Sequence, residues 1–340
     1  MILSDLNITA FRGMKKLHLE KLAPVSITVG ANNVGKSSVL EAAALLLRPF
    51  DPAQWVQVAR QRDMDMSLVD GLWSLFPSCI PLMVDDGPEQ TKPLCVSGVV
   101  ADSERNMSAS GLASANWDTE ASGDLILRVD AKVNDFVHTM EFRREAPARF
   151  GAGVVFYKCF TVTPATHRST RNFVEHLSKA IDEGDKPLAL DLLKLFDPEV
   201  KGLDVSVSGG RDSVRITHAT RGVVDLASFG DGMRRSVALA LALVRSKGGL
   251  LLVDELEAGI HPKILPDILV RLFAAAMIAN VQILATTHSL EAIDALIAAL
   301  RETPNQAAAY YLQRDGQQHI IRRYDLENLI DLRETGLDMR

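Results

Sequence analysis

Cysteine is scarce in this 340-residue chain: Cys79, Cys95 and Cys159 are scattered and show no paired spacing. That excludes a disulfide framework, suggests no zinc site, and fits a reducing cytoplasm. Long apolar runs are lacking too. The longest, residues 272–286, is too short to span a bilayer and contains Asn280 and Gln282. The first ten residues alternate apolar and polar side chains, without a charged start and an apolar core, so they do not read as a signal peptide. There is no basic excess. Net charge is −6, which argues against a surface that coats nucleic acid throughout and leaves open only a local basic groove. Internal repeats, low-complexity tracts, a Pro/Gly/Ser-rich linker and a long heptad pattern are also missing, so no extended coiled-coil arms are expected and the pieces should pack as one unit. What the chain does have is apolar residues, 47% against 24% charged, enough for two lobes or one large α/β unit.

Periodicity sets the expected organisation. Residues 2–10 and 16–20 alternate and 25–29 are β-branched, giving three short strands. After a glycine-rich turn, residues 38–47 are Ala- and Leu-rich almost all round, the mark of a buried helix. A helix is expected over 53–75, a loop over 77–92, and strands over 94–101, 124–133, 137–143 and 154–162, together a mostly antiparallel layer. A helical stretch, 169–196, precedes strands 203–208 and 213–218, joined across Gly209-Gly210. The last third alternates helix 232–247, strand 250–253, helix 262–278, strand 282–285 and helix 290–300, which predicts a parallel sheet covered by helices. The fold class expected is α/β. One head spans 1–340: N-terminal strands and phosphate loop (1–50), an insertion with the antiparallel layer (51–168), a helical insertion (169–200) and a closing lobe (201–340).

Gly30-Ala31-Asn32-Asn33-Val34-Gly35-Lys36-Ser37 fits G-x-x-x-x-G-K-[ST], with a strand before and a helix after, beginning near Lys36 and Ser38. Glycines let the backbone wrap a phosphate chain and the helix start adds positive potential. Lys36 can reach the β- and γ-phosphates of ATP, and the Ser37 hydroxyl can ligate Mg²⁺. Leu250-Leu251-Leu252-Val253-Asp254-Glu255 is a central-type strand ending in two carboxylates. Asp254 is placed to hold Mg²⁺ and Glu255 to act as general base on the attacking water. A second buried-type strand ends in Thr286-Thr287-His288, where His288 would sense the γ-phosphate. Phe229-Gly230-Asp231-Gly232 opens a helix. It reads either as an anion site or as an ordinary cap by Ser228 or Asp231.

In this order the segments resemble the ABC-type ATPases, and Phe11-Arg12-Gly13 resembles the opening of their RecF and structural-maintenance-of-chromosomes branch. Closer still is the AAA-15/AAA-21 group, related to the ATPase half of the overcoming-lysogenisation-defect (OLD) nucleases. The matching pieces are Gly30 to Ser37, Phe229 to Arg235, Asp254-Glu255-Leu256-Glu257-Ala258-Gly259-Ile260-His261, Ala285 to Glu291, and the ending from Arg322 to Arg340. The resemblance implies two heads that face each other and sandwich two ATP molecules, each site joining Gly30 to Ser37 of one subunit to Gly230 to Gly232 of the other. It implies an ABC/RecF-like P-loop head that binds and hydrolyses ATP as a homodimer or higher homo-oligomer. Departures exist. The signature has Gly230 where transporter ATPases carry serine. No glutamine loop can be assigned among Gln54, Gln57 and Gln61. The residues after His288 lack the Glu and Asp-x-Asp of a Toprim nuclease, so none is expected, and Asp63-Met64-Asp65 reads as a helix surface.

With one nucleotide engine and no second active site, the leading expectation is an ATP-driven switch controlling a separately encoded effector, a nuclease, in bacterial antiviral defence. A RecF-like DNA clamp is the alternative, resting on Arg143, Arg144, Arg149, Lys158, Arg168 and Arg171, a cluster that, at net charge −6, reads more readily as a solvated face. A transporter subunit fits less well, and no membrane contact is expected.

Overall fold

The computed structural model describes residues 2–62, 71–72, 74–76, 90–100, 105–115, 125–133, 135–143, 155–208, 211–316 and 318–335. Asp63-Met64-Asp65, the greater part of the 77–92 loop, Gly209-Gly210, Arg144, Arg149 and residues 336–340 lie outside them. The N-terminal strands are β1 (Leu3–Phe11), β2 (Met14–Leu19) and β3 (Val25–Val29), followed by α1 (Lys36–Leu47) and α2 (Pro52–Arg60). Next come β4 (Gln90–Val100), β5 (Arg105–Ala115), β6 (Leu125–Val133), β7 (Phe136–Arg143) and β8 (Cys159–Val162). Helices α3 (Thr170–Asp182) and α4 (Lys186–Phe196) lead to β9 (Val200–Ser208), β10 (Arg211–His218) and β11 (Gly222–Asp225). The closing lobe runs α5 (Asp231–Arg245), β12 (Leu250–Val253), α6 (Leu265–Ile278), β13 (Gln282–Thr286), α7 (Leu290–Leu300), β14 (Ala307–Asp315), β15 (Gln318–Asp325) and α8 (Leu326–Glu334).

The core sheet has the order β15-β14-β3-β13-β12-β8. All neighbours are parallel except the β14–β15 hairpin at one edge. Its central strands are buried on both faces, so their runs are continuously apolar rather than alternating. On β12, Leu250 and Leu252 join the core beneath α1, while Leu251 and Val253 join the core beneath α3–α7. Helix α1 is buried along nearly its whole circumference because it lies between this sheet and a second one. The second sheet, β2-β1-β4-β5-β6-β7, is antiparallel throughout. A small sheet, β11-β10-β9, flanks α3 and α4.

One side chain fastens the two large sheets together. Gln282, at the start of β13, is buried. Its Oε1 accepts from the backbone N–H groups of Ile2 and Leu3, each at 2.8 Å. Its Nε2 donates to the carbonyls of Leu3 at 2.8 Å and Ala23 at 3.2 Å. All four hydrogen-bonding positions of the amide are filled.

Several expectations need correction. The strand expected over 154–162 is only Cys159–Val162, and it belongs to the parallel sheet, paired with β12, not to the antiparallel layer. Residues 2–10 and 16–20, expected as strands with no sheet named for them, are strands and lie outside the core sheet. They pair with each other and with β4. Residues 90–92, read as loop, are strand. The helix expected over 53–75 is described as Pro52–Arg60, capped by the Asp51 side chain on Ala53 N–H. Strand β5, the β14–β15 hairpin and α8 had no counterpart in the sequence reading.

Candidate functional site

The chain leaves β3 into a loop that only certain residues can follow. A Cβ on Gly30, at φ +142°, would lie 2.2 Å from the Leu312 carbonyl oxygen on β14, so a side chain there is excluded. Asn33 (φ 62°) and Gly35 (φ 99°) are left-handed, with Val34 between them in ordinary backbone. Such alternation curls successive N–H groups toward a common centre, an anion-binding concavity. Gly35 begins α1 without any side-chain cap, which leaves the first-turn N–H groups for an anion.

Three elements converge on that helix start. Asp254 follows β12, and its Oδ1 accepts from Ser37 Oγ at 3.0 Å and from Thr286 Oγ1 at 2.7 Å. Glu255 has φ 51°, a left-handed backbone uncommon outside glycine, and its N–H donates to Thr286 Oγ1 at 2.9 Å. Lys36 is buried. Its Nζ donates to the Gly30 and Ala31 carbonyls at 2.7 Å and lies 3.2 Å from His288 Nδ1. Desolvation pulls the Lys36 ammonium below its ordinary pKa, opposed by Glu257, Asp254 and Glu255. Glu257 is committed elsewhere: Oε1 accepts from His288 N–H at 2.6 Å and Oε2 from Thr287 Oγ1 at 2.7 Å, which sets the His288 loop. Glu255, not Glu257, therefore faces the cavity with its carboxylate available.

The cavity holds about 410 Å³. Asn32, Glu255 and His288 line both this cavity and an adjoining open cleft, which also takes in Gly30 and Ala31. Arg12, Gly13, Met14, Arg62, Arg314 and His319 also line the cavity, and none of them borders that cleft. Arg12 and Arg62 converge on the buried Glu41 carboxylate, at 2.6 and 2.8 Å, and Arg62 also donates to Ser38 Oγ at 2.7 Å. Of Gln54, Gln57 and Gln61, none lines this cavity, whereas the neighbouring Arg62 does.

The structure thus brings together Asn32, Asn33, Gly35, Lys36, Ser37, Ser38, Asp254, Glu255 and His288 around one cavity, with Gly30 and Ala31 in the adjoining cleft. It does not bring in Phe229, Gly230, Asp231 or Gly232, which sit at the start of α5 outside the cavity of the same head. Neither Ser228 nor Asp231 caps that helix: Gly230 is the N-cap residue and no side chain bonds to it. Gly230 has φ −66°, a Cβ there would meet nothing within 4 Å, and one on Gly232 would meet only the Gly259 carbonyl oxygen at 3.8 Å. Among the described residues nothing requires glycine at either position.

Helix α5 is tied to the carboxylate loop by Arg235, which is fully buried. Nη1 donates to Thr163 O at 2.5 Å and Nη2 to the Asp254 and Glu255 carbonyls at 3.1 Å. Burial holds its guanidinium down to about 10. Replacing Arg235 with Leu leaves three inward carbonyls without their donor. The expected cost is on the order of 3 kcal/mol of folding stability, read as a lower urea midpoint at unchanged slope. An unchanged midpoint would mean the guanidinium carries no such burden. Sequence reasoning assigned no role to Arg235, Thr286, Arg62, Arg314 or His319. The signal available was a pair of arginines, Arg234-Arg235, just before the apolar run of α5, and a threonine at the end of a buried strand.

Residues 102–294, more than half of the chain, match the family described as "AAA domain, putative AbiEii toxin, Type IV TA system". Residues 1–55 match a family described as a protein of unknown function, DUF2813. An uncharacterized protein of Methanocaldococcus jannaschii is 36% identical over 113 residues, 33% of this chain and 99% of that protein. An ATP/GTP phosphatase of Helicobacter pylori is 31% identical over 111 residues, but these make up only 30% of that protein and 31% of this chain. Among solved structures, the structural-maintenance-of-chromosomes head domain from Thermotoga maritima aligns over 95% of this chain and 99% of its own, with TM-score 0.51 and 14% identity. A head of that type bound to the C-terminal winged-helix domain of ScpA aligns over 96% and 99%, with TM-score 0.58 and 12% identity. These likenesses show the fold, an ABC/RecF-like P-loop head with a parallel core sheet and antiparallel layers. By the family match over residues 102–294, the chain belongs to the AAA-21 group of P-loop ATPases.

Proposed function

We propose that this chain binds and hydrolyses ATP with Mg²⁺, and that nucleotide closes two heads into a switch. The observation that carries the reading is the meeting of Ser37 and Asp254, 217 residues apart, at 3.0 Å beside Lys36 and the uncapped start of α1. Hydroxyl and carboxylate oxygens suit a hard cation such as Mg²⁺, with phosphate oxygens completing its shell. Among the described residues no cluster of three or more His, Cys, Asp or Glu side chains offers an alternative cage. When bound, Mg²⁺ neutralises charge developing on the β- and γ-phosphate oxygens. Lys36 gives up its loop carbonyls for the phosphates, Glu255 takes a proton from the attacking water, and His288 marks the γ-phosphate end. ATP titration with and without Mg²⁺, together with release of inorganic phosphate, tests this. Protein that neither binds ATP nor releases phosphate would end the reading.

The signature residues support head-to-head closure by what they lack. Among the described residues no contact within the head explains why Gly230 and Gly232 are spared side chains, which supports close approach from outside by a second head's phosphates. A Gly232→Asp chain should therefore fold and bind ATP normally, since its own cavity is untouched. It should lose ATP-dependent dimerisation and turn over slowly, because the carboxylate meets the partner's phosphates with like charge. Light scattering with nucleotide, run beside a phosphate-release assay, decides. Parent-like mass and turnover would rule out a shared site.

The engine's output, in this reading, is control of a separately encoded effector in antiviral defence. Two things support it: the toxin–antitoxin setting named in the family description, and the fact that a head of similar fold is recorded with a bound partner domain. Phage plating on cells carrying the gene with its neighbours tests this part. Protection that survives Lys36→Ala would uncouple nucleotide from the outcome.

A further inference from the structure

Resting on the proposal that this cavity takes ATP, the geometry points to the tip of the β14–β15 hairpin as the nucleobase end of the site: His319 stacks on the base, Met14 lies beneath it and Arg314 borders it. The argument begins with direction. The phosphate chain is fixed by the loop from Gly30 to Ser37, and its terminal group by Lys36, Glu255 and His288. Whatever follows the α-phosphate must therefore run away from the cleft that His288 and Glu255 border, toward the cavity residues that do not line that cleft, among them Arg12, Gly13, Met14, Arg62, Arg314 and His319. Among these, His319 is the one aromatic ring, and planar purines stack on aromatic faces. A guanidinium and a thioether are the usual companions of such stacking.

Three observations place the hairpin there. Arg314 and His319 are directly opposed across the β14–β15 pair, so their side chains share one face of the hairpin. A Cβ on Gly35 would come within 3.2 Å of Met14 Sδ and 3.9 Å of His319 Nε2, which puts both side chains against the start of α1, where the α-phosphate would lie. His319 Nδ1 is buried and has no hydrogen-bond partner among the described residues. A buried ring nitrogen without a partner is costly unless a group in the plane of the ring, such as a ribose hydroxyl beside the stacked base, supplies one. The hairpin itself is held in place: Arg314 Nε donates to Gly316 O at 3.0 Å, and Ile321 packs into the core under α1.

The test separates base from phosphate. ATP and inorganic tripolyphosphate, each with Mg²⁺, are titrated against the parent, His319→Ala, His319→Phe and Lys36→Ala. Stacking lost at His319→Ala should weaken ATP about 10-fold and leave tripolyphosphate within about 2-fold of the parent. His319→Phe keeps a ring and should retain most of the ATP affinity. Lys36→Ala should weaken both ligands. The hairpin assignment is overturned if His319→Ala leaves ATP affinity unchanged, or weakens ATP and tripolyphosphate alike. It is overturned as well if His319→Phe binds ATP no better than His319→Ala. A parent protein that binds neither ligand would instead sink the ATP reading beneath it, and a thermal melt of each variant separates misfolding from lost stacking.

Discussion

Lys36→Ala should bind ATP on the order of a hundredfold more weakly than the parent, in a titration with Mg²⁺ present. The ammonium is buried and already partly desolvated, so its contacts to phosphate act with little screening. A hydrogen bond to a charged group is worth about 1.5–3 kcal/mol, and losing one or two of these produces that factor. The fold should survive. The two carbonyls that Lys36 now satisfies belong to Gly30 and Ala31, beside an open cleft that water can enter. A variant with parent-like affinity and a normal melting curve would show that the loop does not bind the phosphates.

Glu255→Gln should keep ATP and lose turnover, by about 10²–10⁴-fold, the usual contribution of a positioned general base. The amide has nearly the shape of the carboxylate, and the left-handed backbone at 255 is held by Thr286 and Arg235 through main-chain atoms that the substitution leaves alone. Glu257→Gln makes the informative contrast. It disturbs the carboxylate that orients His288 and Thr287, so it should weaken the γ-phosphate end without removing a base. Single-turnover phosphate release, with ATP affinity measured in parallel, tells them apart. Full turnover by Glu255→Gln would move the base elsewhere.

The residues around the phosphates were legible because their chemistry is local. The glycine loop, the Asp254-Glu255 pair and His288 each sit at the end of a strongly patterned strand, and parallel pairing of β3, β13 and β12 lines up those ends automatically. The other end of the cavity was not legible. Arg62, Arg314 and His319 lie in segments with no strong period, and they meet only because the hairpin edge of one sheet faces the start of α1 beneath the other. Strand β5 was missed for a related reason. RNMSASGLASA is rich in Ser, Ala and Gly, and its strand character comes from pairing along its full length with β4 and from Met107 onward with β6. The placement of Cys159–Val162 was misjudged because four residues carry no sign of whether their neighbour runs parallel or antiparallel. Arg235 illustrates the limit in a helix: periodicity shows where the residue lies, but not that the loop beneath it supplies three acceptors.

Gln282 has a mechanical consequence. The cavity is a gap between two plates: Arg12, Gly13 and Met14 ride on the antiparallel sheet, while Lys36, Asp254 and His288 ride on the parallel one. Gln282 bolts the plates together at the end of β13 remote from that gap, and Tyr310 Oη, donating to Glu20 O at 2.8 Å, adds a second fastening along the edge. Clamped in this way, the two faces of the gap keep a set spacing. The loop carrying Glu255 has a separate tie, since Arg235 links it to α5 and thereby to Gly230 and Gly232. On the shared-site proposal, a change at the γ-phosphate would therefore reach a second head through α5 rather than through the width of the gap.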